Sequence, residues 1–503
     1  MRPRSQSPLR LLLKSTLAAA LGVAVAHCSK SDPAPAPTPD AGTRTQVRCD
    51  GQFSDGTRIS VASPTPLGDV PLPDQTFCDF HTFAWNQFLY LTQTVEDGND
   101  PVLPTKPRFL SFSPWYNLLK KDGSNPPTAF PGGHTTLEVS MLDQKQAGAG
   151  QDALIDVAGQ MVLYDIRFNQ PMYDGVVDAG YYTQEKYDAF CNPPKDSPPF
   201  TDCQNPQQFW LPWGDGGTAD LSLGSIEIKS AWRQFPANDC PSTVMYCAGT
   251  NLGLVGLHIA QKTPTHGEWV WASFEHVANT PDCAPGSSSP IADVSPLGTP
   301  WSFFNPQTAP PGVMTSKTCD VTADAGQCNL DPHVDGGTGF QQVNICRTDS
   351  LPTGGANDAN CITVSATDAG PEANSGGNVA CLNATLRPQL SGVWKNYQLI
   401  GTLWTKGTQP PDEDFWIDIF QQPKDGGTEK TAVGFPNLAN TTMETYLQMG
   451  STAYDPNGAN LSNANKAGCF GCHNPVAQNT DTDLSHFPSK FDDLEKPRVR
   501  ARK

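Results

Sequence analysis

Cys469-Phe470-Gly471-Cys472-His473 stands 30 residues before the end of this 503-residue chain and constrains the fold more than any other feature. In a C-x-x-C-H run two thiols are spaced to add to the vinyl groups of a porphyrin, and the adjacent imidazole is held against the iron. The pattern predicts one covalent haem c bound through Cys469 and Cys472, with His473 as the proximal metal ligand. A tight local disulfide and half of a zinc ribbon are the competing chemistries. A four-cysteine zinc site needs a second C-x-x-C, which the chain lacks. No methionine lies in the 30 residues after His473, so a following domain that wraps the haem and supplies a distal thioether has no room. The pocket must be built from preceding segments, and the sixth position of the iron is either open or filled from upstream.

The amino terminus indicates where such a group would be attached. Its first 27 residues carry Arg2, Arg4, Arg10 and Lys14, no acidic residue, and a small apolar run over 16–26. This is the pattern of an export signal (1–27), too short for a permanent membrane span. Its removal takes the formal charge from −18 to −22. Two cleavage sites compete: Ala24-Val25-Ala26 is small-x-small, while Val25-Ala26-His27-Cys28 resembles a bacterial lipobox with His27 where a small residue is usual. Setting aside Cys469 and Cys472 leaves thirteen cysteines, and lipidation of Cys28 leaves an even twelve for disulfides in an oxidising compartment. A tether (28–48) containing Pro-Ala-Pro-Ala-Pro follows. The expectation is a lipoprotein of the bacterial cell envelope, periplasmic or on the outer membrane, that meets the membrane only through a lipid anchor. Simple secretion with one unpaired thiol is the alternative.

Composition narrows the rest. With 51 acidic against 33 basic residues the surface repels phosphate backbones, which excludes nucleic acid as a partner. Forty-four Gly and 47 Pro, with only 17% charged residues, exclude a coiled coil and an all-helical bundle. Phe77, Phe80, Ala84 and Phe88 share one helical face, predicting a core helix over 77–92. Segments 161–167, 225–232, 252–260 and 269–277 are short, apolar and bounded by turn residues, and predict antiparallel strands, as do 397–404 and 414–420. A short helix is expected over 441–449, capped by Thr441. Asp-Gly-Gly-Thr runs at Asp215, Asp335 and Asp425 have no fixed period and are turns. The expected fold is α+β: a mainly antiparallel β-sheet core with peripheral helices, long disulfide-bearing loops and the haem near the carboxyl end. Residues 49–280 would form its β-rich part, 281–388 an irregular disulfide-rich insertion, and 389–503 the last strands, a helix and the haem-attachment segment.

Three pieces, in order, resemble the cytochrome P-460 family of β-rich exported proteins with one c-type haem near the carboxyl end. Gly224-Ser225-Ile226-Glu227-Ile228-Lys229 is similar to that family's Gly-Thr-Val-x-Val-Lys strand. Val255-Gly256-Leu257-His258, with Lys262 and Gly267-Glu268-Trp269-Val270-Trp271, is similar to its Ile-Gly-Leu-Glu and Asn-Trp-x-Phe strands. The haem motif followed by Thr480-Asp481-Thr482-Asp483 is similar to its short Asp-containing tail. The pieces cover about 70 residues, and the roughly 190 residues between Val277 and Cys469 greatly exceed the family's short connection. The resemblance implies that Lys229 occupies the place of a lysine cross-linked to the haem ring, and that His258 replaces a distal carboxylate. A bond to a ring carbon needs a neutral amine, which burial beside a porphyrin favours; a solvated lysine on a strand edge is the plain alternative.

Leu254, Gly256, His258 and Ala260 alternate onto one strand face, whose small residues would leave space above a haem. His258 has three readings there: an acid/base group titrating near its ordinary 6.5, an iron ligand, or a satisfied core histidine. His81, His276 and His486 are expected to be structural. Met443 and Met449 are expected in a core, with iron ligation as the alternative. Phe274, Trp269 and Trp271 would line a dry cavity that selects hydroxylamine, nitric oxide or peroxide. The expected function is that of a haem oxidoreductase acting on such a molecule at open iron, with a redox partner protein; the alternative is a non-catalytic electron-transfer or gas-binding cytochrome. If the anchor forms, Cys28→Ser should move the exported protein from the membrane to the soluble fraction. Unchanged partition after carbonate washing would refute the lipobox reading.

Overall fold

The structure, a computed structural model, describes residues 48–71, 76–96, 105–120, 124–127, 129–131, 154, 156–158, 162–183, 211–235, 252–282, 291–304, 329–330, 340–341, 346–347, 361, 375–405, 432–434 and 441–442. In chain order the strands are β1 Thr94–Glu96, β2 Thr105–Pro107, β3 Ser113–Pro114, β4 Leu163–Phe168, β5 Ile226–Gln234, β6 Leu252–Gln261, β7 Val270–His276, β8 Asn329–Leu330, β9 Phe340–Gln341, β10 Tyr397–Thr405 and β11 Ala432–Gly434. The helices are α1 Phe77–Thr92, α2 Trp115–Leu118, α3 Gln170–Ala179 and α4 Ser375–Leu386. Seven strands form one sheet in the order β11-β10-β7-β6-β5-β4-β3, antiparallel throughout. Strands β4 to β7 are each hydrogen-bonded to the next, whereas β10 joins β7 only after the chain has left at His276 and returned at Tyr397. The α+β, antiparallel expectation is met among the described residues.

Helix α1 organises one face of this sheet. Its start is fixed by a capping box: the Asp79 amide donates to Thr76 Oγ1 at 3.2 Å, and the Thr76 amide donates to Asp79 Oδ2 at 2.7 Å. The Ser54 amide also donates to Asp79, at 2.7 Å, and the Cys49–Cys78 disulfide ties the same region to the helix. Burial pushes the Asp79 carboxyl up, and the hydrogen bonds from Thr76 and Ser54 oppose it. Phe88 stacks on Phe274 at 4.2 Å, Trp85 meets Phe274 edge-on at 5.1 Å, and Phe80 stacks on Trp404 at 3.9 Å. With Ile228, Leu257, Ile259 and Ala272 these rings fill the core between helix and sheet. On the opposite face a smaller cluster of Leu154, Val162, Tyr164, Ala231, Val255 and Phe303 forms a second layer.

The helix expected over 77–92 is α1 with the same bounds. The strands expected at 161–167, 225–232, 252–260, 269–277 and 397–404 are present with ends shifted by at most two residues. Segment 414–420 lies outside the described residues. So does the expected helix at 441–449 beyond Thr441 and Thr442, which form a turn. The irregular insertion needs correction at its end. Residues 375–386 are helix α4, whose Val379, Leu382 and Leu386 join the main core. Glycines 376 and 377 hide this helix in a sequence reading, but the i, i+3, i+7 apolar spacing is its signal. Cys361–Cys381 secures α4, closing a loop of 20 residues, and Cys346 is also disulfide-bonded. Asp79→Ala should lower the unfolding free energy by about 2 kcal/mol, because it removes the capping box and the Ser54 bonds together; urea denaturation measures it.

Candidate functional site

A row of polar side chains crosses the centre of the sheet on the face away from α1. Lys229 of β5 pairs directly with His258 of β6, and His258 pairs directly with Ser273 of β7. Strand alternation explains the placement: the neighbours Ile228, Ile259 and Ala272 point into the α1 core, so the next residues point the other way. All three polar residues are buried, His258 at 4% exposure and Ser273 at 0%. His258 Nδ1 lies 2.8 Å from Ser273 Oγ, while Nε2 has no hydrogen-bond partner among the described residues. Lys229 Nζ lies 4.8 Å from the ring centre of Tyr164, on the neighbouring rung of β4.

One rung further, the chain itself covers the sheet. Tyr164 Oη donates to the Thr441 carbonyl at 3.0 Å, and Thr441 Oγ1 donates to the Val255 carbonyl at 3.3 Å. A Cβ on Gly256 would lie 2.1 Å from the hydroxyl oxygens of both Thr441 and Thr442. Glycine is therefore required by close approach, and the space expected above Gly256 belongs to these threonines. Beside Gly256 across the β6–β7 pair stands Glu275, fully buried and ion-paired with Arg347. Arg347 also holds Asp282 at 3.1 Å. The 281–388 span thus contributes a buried cation to this face.

Burial, and then the charge of Lys229, push the His258 imidazole down to about 3. The expectation that His258 titrates near its ordinary value is corrected: the ring is neutral at physiological pH. The sheet satisfies the ring at Nδ1, and Nε2 has no partner among the described residues. His266 is held down to about 3 by burial, but it sits in the β6–β7 turn against Phe80. Phe274 does not line the His258 face, because it packs against Phe88 and Trp85 on the α1 side. Trp271 is on the His258 face, opposite Ala260. Trp269 adopts a φ of 82°, with Lys262 Nζ 5.3 Å from its ring centre. His81 packs beside Trp404, and His276 packs edge-on against Tyr397 and accepts from the Ala278 amide at 3.2 Å. Cys28, Cys469, Cys472, His473, His486, Met443 and Met449 lie outside the described residues.

Ser273, Tyr164 and the Glu275–Arg347 pair escaped the sequence reading. Period-2 alternation places Ser273 on the Trp271 face, but which residue it opposes depends on register. Among the described residues no group of three His, Cys, Asp or Glu side chains is placed to hold a metal ion, and no helix is long and apolar enough to cross a membrane.

A folded-state imidazole at about 3 is harder to protonate than one in the unfolded chain. Its linkage is neutral above pH 6.5, and stability falls as pH drops below that, down to about 3. Replacing the group by His258→Gln should remove this loss. The stability of the wild type relative to the variant should then decline by about 1.4 kcal/mol per pH unit between pH 6 and pH 4, measured by urea unfolding. A difference independent of pH would show that His258 is not buried as neutral imidazole. Comparison with protein-family models, with curated proteins and with solved structures finds no match for this chain.

Proposed function

We propose that the protein is an exported c-type haem oxidoreductase acting on a small nitrogen or oxygen species at an open iron position, on the face that carries Lys229 and His258. One observation carries the reading. Lys229 and His258, singled out from separate sequence pieces, are direct cross-strand neighbours in a buried polar row. Thr441 and Thr442, the last described residues before the C-x-x-C-H motif, rest on the same face.

The residues present fit the group. Cys469 and Cys472 are the thiols that would bind haem c, and His473 is the imidazole that would hold its iron. His258 Nε2 is a buried polar atom in need of a partner, as a side chain facing an iron-bound molecule should be. When bound, the haem supplies a site for a small ligand and a route for electrons. Its own chemistry aside, the chain's part is to orient and to exclude water. His258 stays neutral and offers a hydrogen bond, while Lys229, in the place of the family's cross-linking lysine, is the amine nearest that imidazole in the row. Trp271 adds apolar bulk to the same face. Attachment of haem c takes place outside the cytoplasm, which agrees with the signal at 1–27 and a lipid anchor at Cys28. A mature charge of −22 suits a cationic redox partner.

Mass spectrometry of the haem-bearing peptides together with the absorption spectrum tests this. Attachment through Cys469 and Cys472 is expected, with a second peptide containing Lys229 and red-shifted bands. Cys469→Ala with Cys472→Ala should abolish the thioether attachment of haem. An ordinary low-spin spectrum, with tight nitric oxide binding and no turnover of hydroxylamine or peroxide, would replace the enzyme by the gas-binding or electron-carrying cytochrome.

A further inference from the structure

The hydroxyl of Ser273 determines what His258 can bind. Ser273 Oγ lies 2.8 Å from His258 Nδ1 and makes no other hydrogen bond among the described residues, and Nε2 makes none. Both residues are buried, so every proton in the pair must be accounted for. If the proton sat on Nδ1, Nδ1–H would donate to Oγ. The serine O–H would then lack an acceptor and the Nε2 lone pair would lack a donor, leaving two polar groups stranded. If the serine O–H donates to Nδ1, the only group left is Nε2–H, and a single acceptor placed before it completes the set. Burial without partners costs free energy for each stranded group, so the second arrangement is the stable one. Iron cannot complete it, because an Nε2 that carries a proton has no lone pair to give.

We infer that Ser273 is a positioning residue that locks His258 in the Nε2–H form, so that this face presents a hydrogen-bond donor and selects a ligand with a lone pair towards it. That ligand class is an oxygen or nitrogen acceptor, neutral or anionic, and excludes cations such as protonated hydroxylamine. The tautomer stands on the sheet alone, whereas the location of the ligand at haem iron rests on the function proposed above.

The test uses the full chain labelled with 15N-histidine, nine residues in all, with the His258 signal assigned by its loss in His258→Gln. Two-bond proton–nitrogen correlations should show one tautomer, protonated at Nε2. Ser273→Thr, which keeps the hydroxyl on a β-branched residue suited to a strand, should preserve it, and the near-isosteric Ser273→Val should lose it. Azide serves as the anionic acceptor probe: its affinity should fall about tenfold in Ser273→Val and be restored in Ser273→Thr, the weight of one hydrogen bond. A wild-type ring protonated at Nδ1, or a tautomer indifferent to Ser273→Val, overturns the inference. An Nε2–H ring in a protein that carries no haem and binds no azide sustains the tautomer and sinks the haem reading instead.

Discussion

Everything on the candidate face depends on the backbone register that joins β5, β6 and β7. Lys229, His258 and Ser273 meet because each is directly opposite the next. A slip by one residue would turn all three into the α1 core and bring Ile228, Ile259 and Ala272 out. What prevents the slip is hydrophobic: each of those three apolar neighbours belongs to the core that packs against α1, alongside Phe274, Trp85 and Phe88. The chemistry on one side of the sheet is thus held in place by the packing on the other.

That arrangement explains what could be read in advance. The α1 boundaries were legible because Thr76 and Asp79 form a capping box immediately before an apolar stripe, both local signals. The central strands were legible from their apolar and aromatic bulk, and alternation assigned His258 to the face of Gly256 and Ala260 but misplaced Leu254, which the β5–β6 register shift after Ala231 turns into the α1 core. Helix α4 was not legible as such, since its opening Ser-Gly-Gly-Asn reads as loop, and packing against α1 and β10 together with the Cys361–Cys381 disulfide holds it in place. The environment of His258 was also beyond local reading. Its neutral state follows from burial and from a lysine 29 positions earlier in the chain, which is a matter of pairing and not of sequence distance.

Gly256 illustrates how a correct expectation about residue size can conceal a wrong one about purpose. A small residue on this face was expected because a planar group needs space. The structure gives that space to two threonine side chains from a turn almost two hundred positions later. The glycine therefore serves chain routing, and the polar row of Lys229, His258 and Ser273 lies one rung away. Ala260, on the rung beyond, is the other small residue that β6 places on this face.

The pairing of Glu275 with Arg347 has a bearing on how the long excursion between β7 and β10 can vary. A carboxylate sealed beneath protein and balanced by a guanidinium from that excursion makes the two positions a single electrical unit. Shortening the excursion past Arg347 would strand negative charge under the sheet, so a trimmed descendant would have to neutralise position 275 in the same step. The excursion can be remodelled in its sequence as long as it either keeps its cation for the sheet or changes together with position 275.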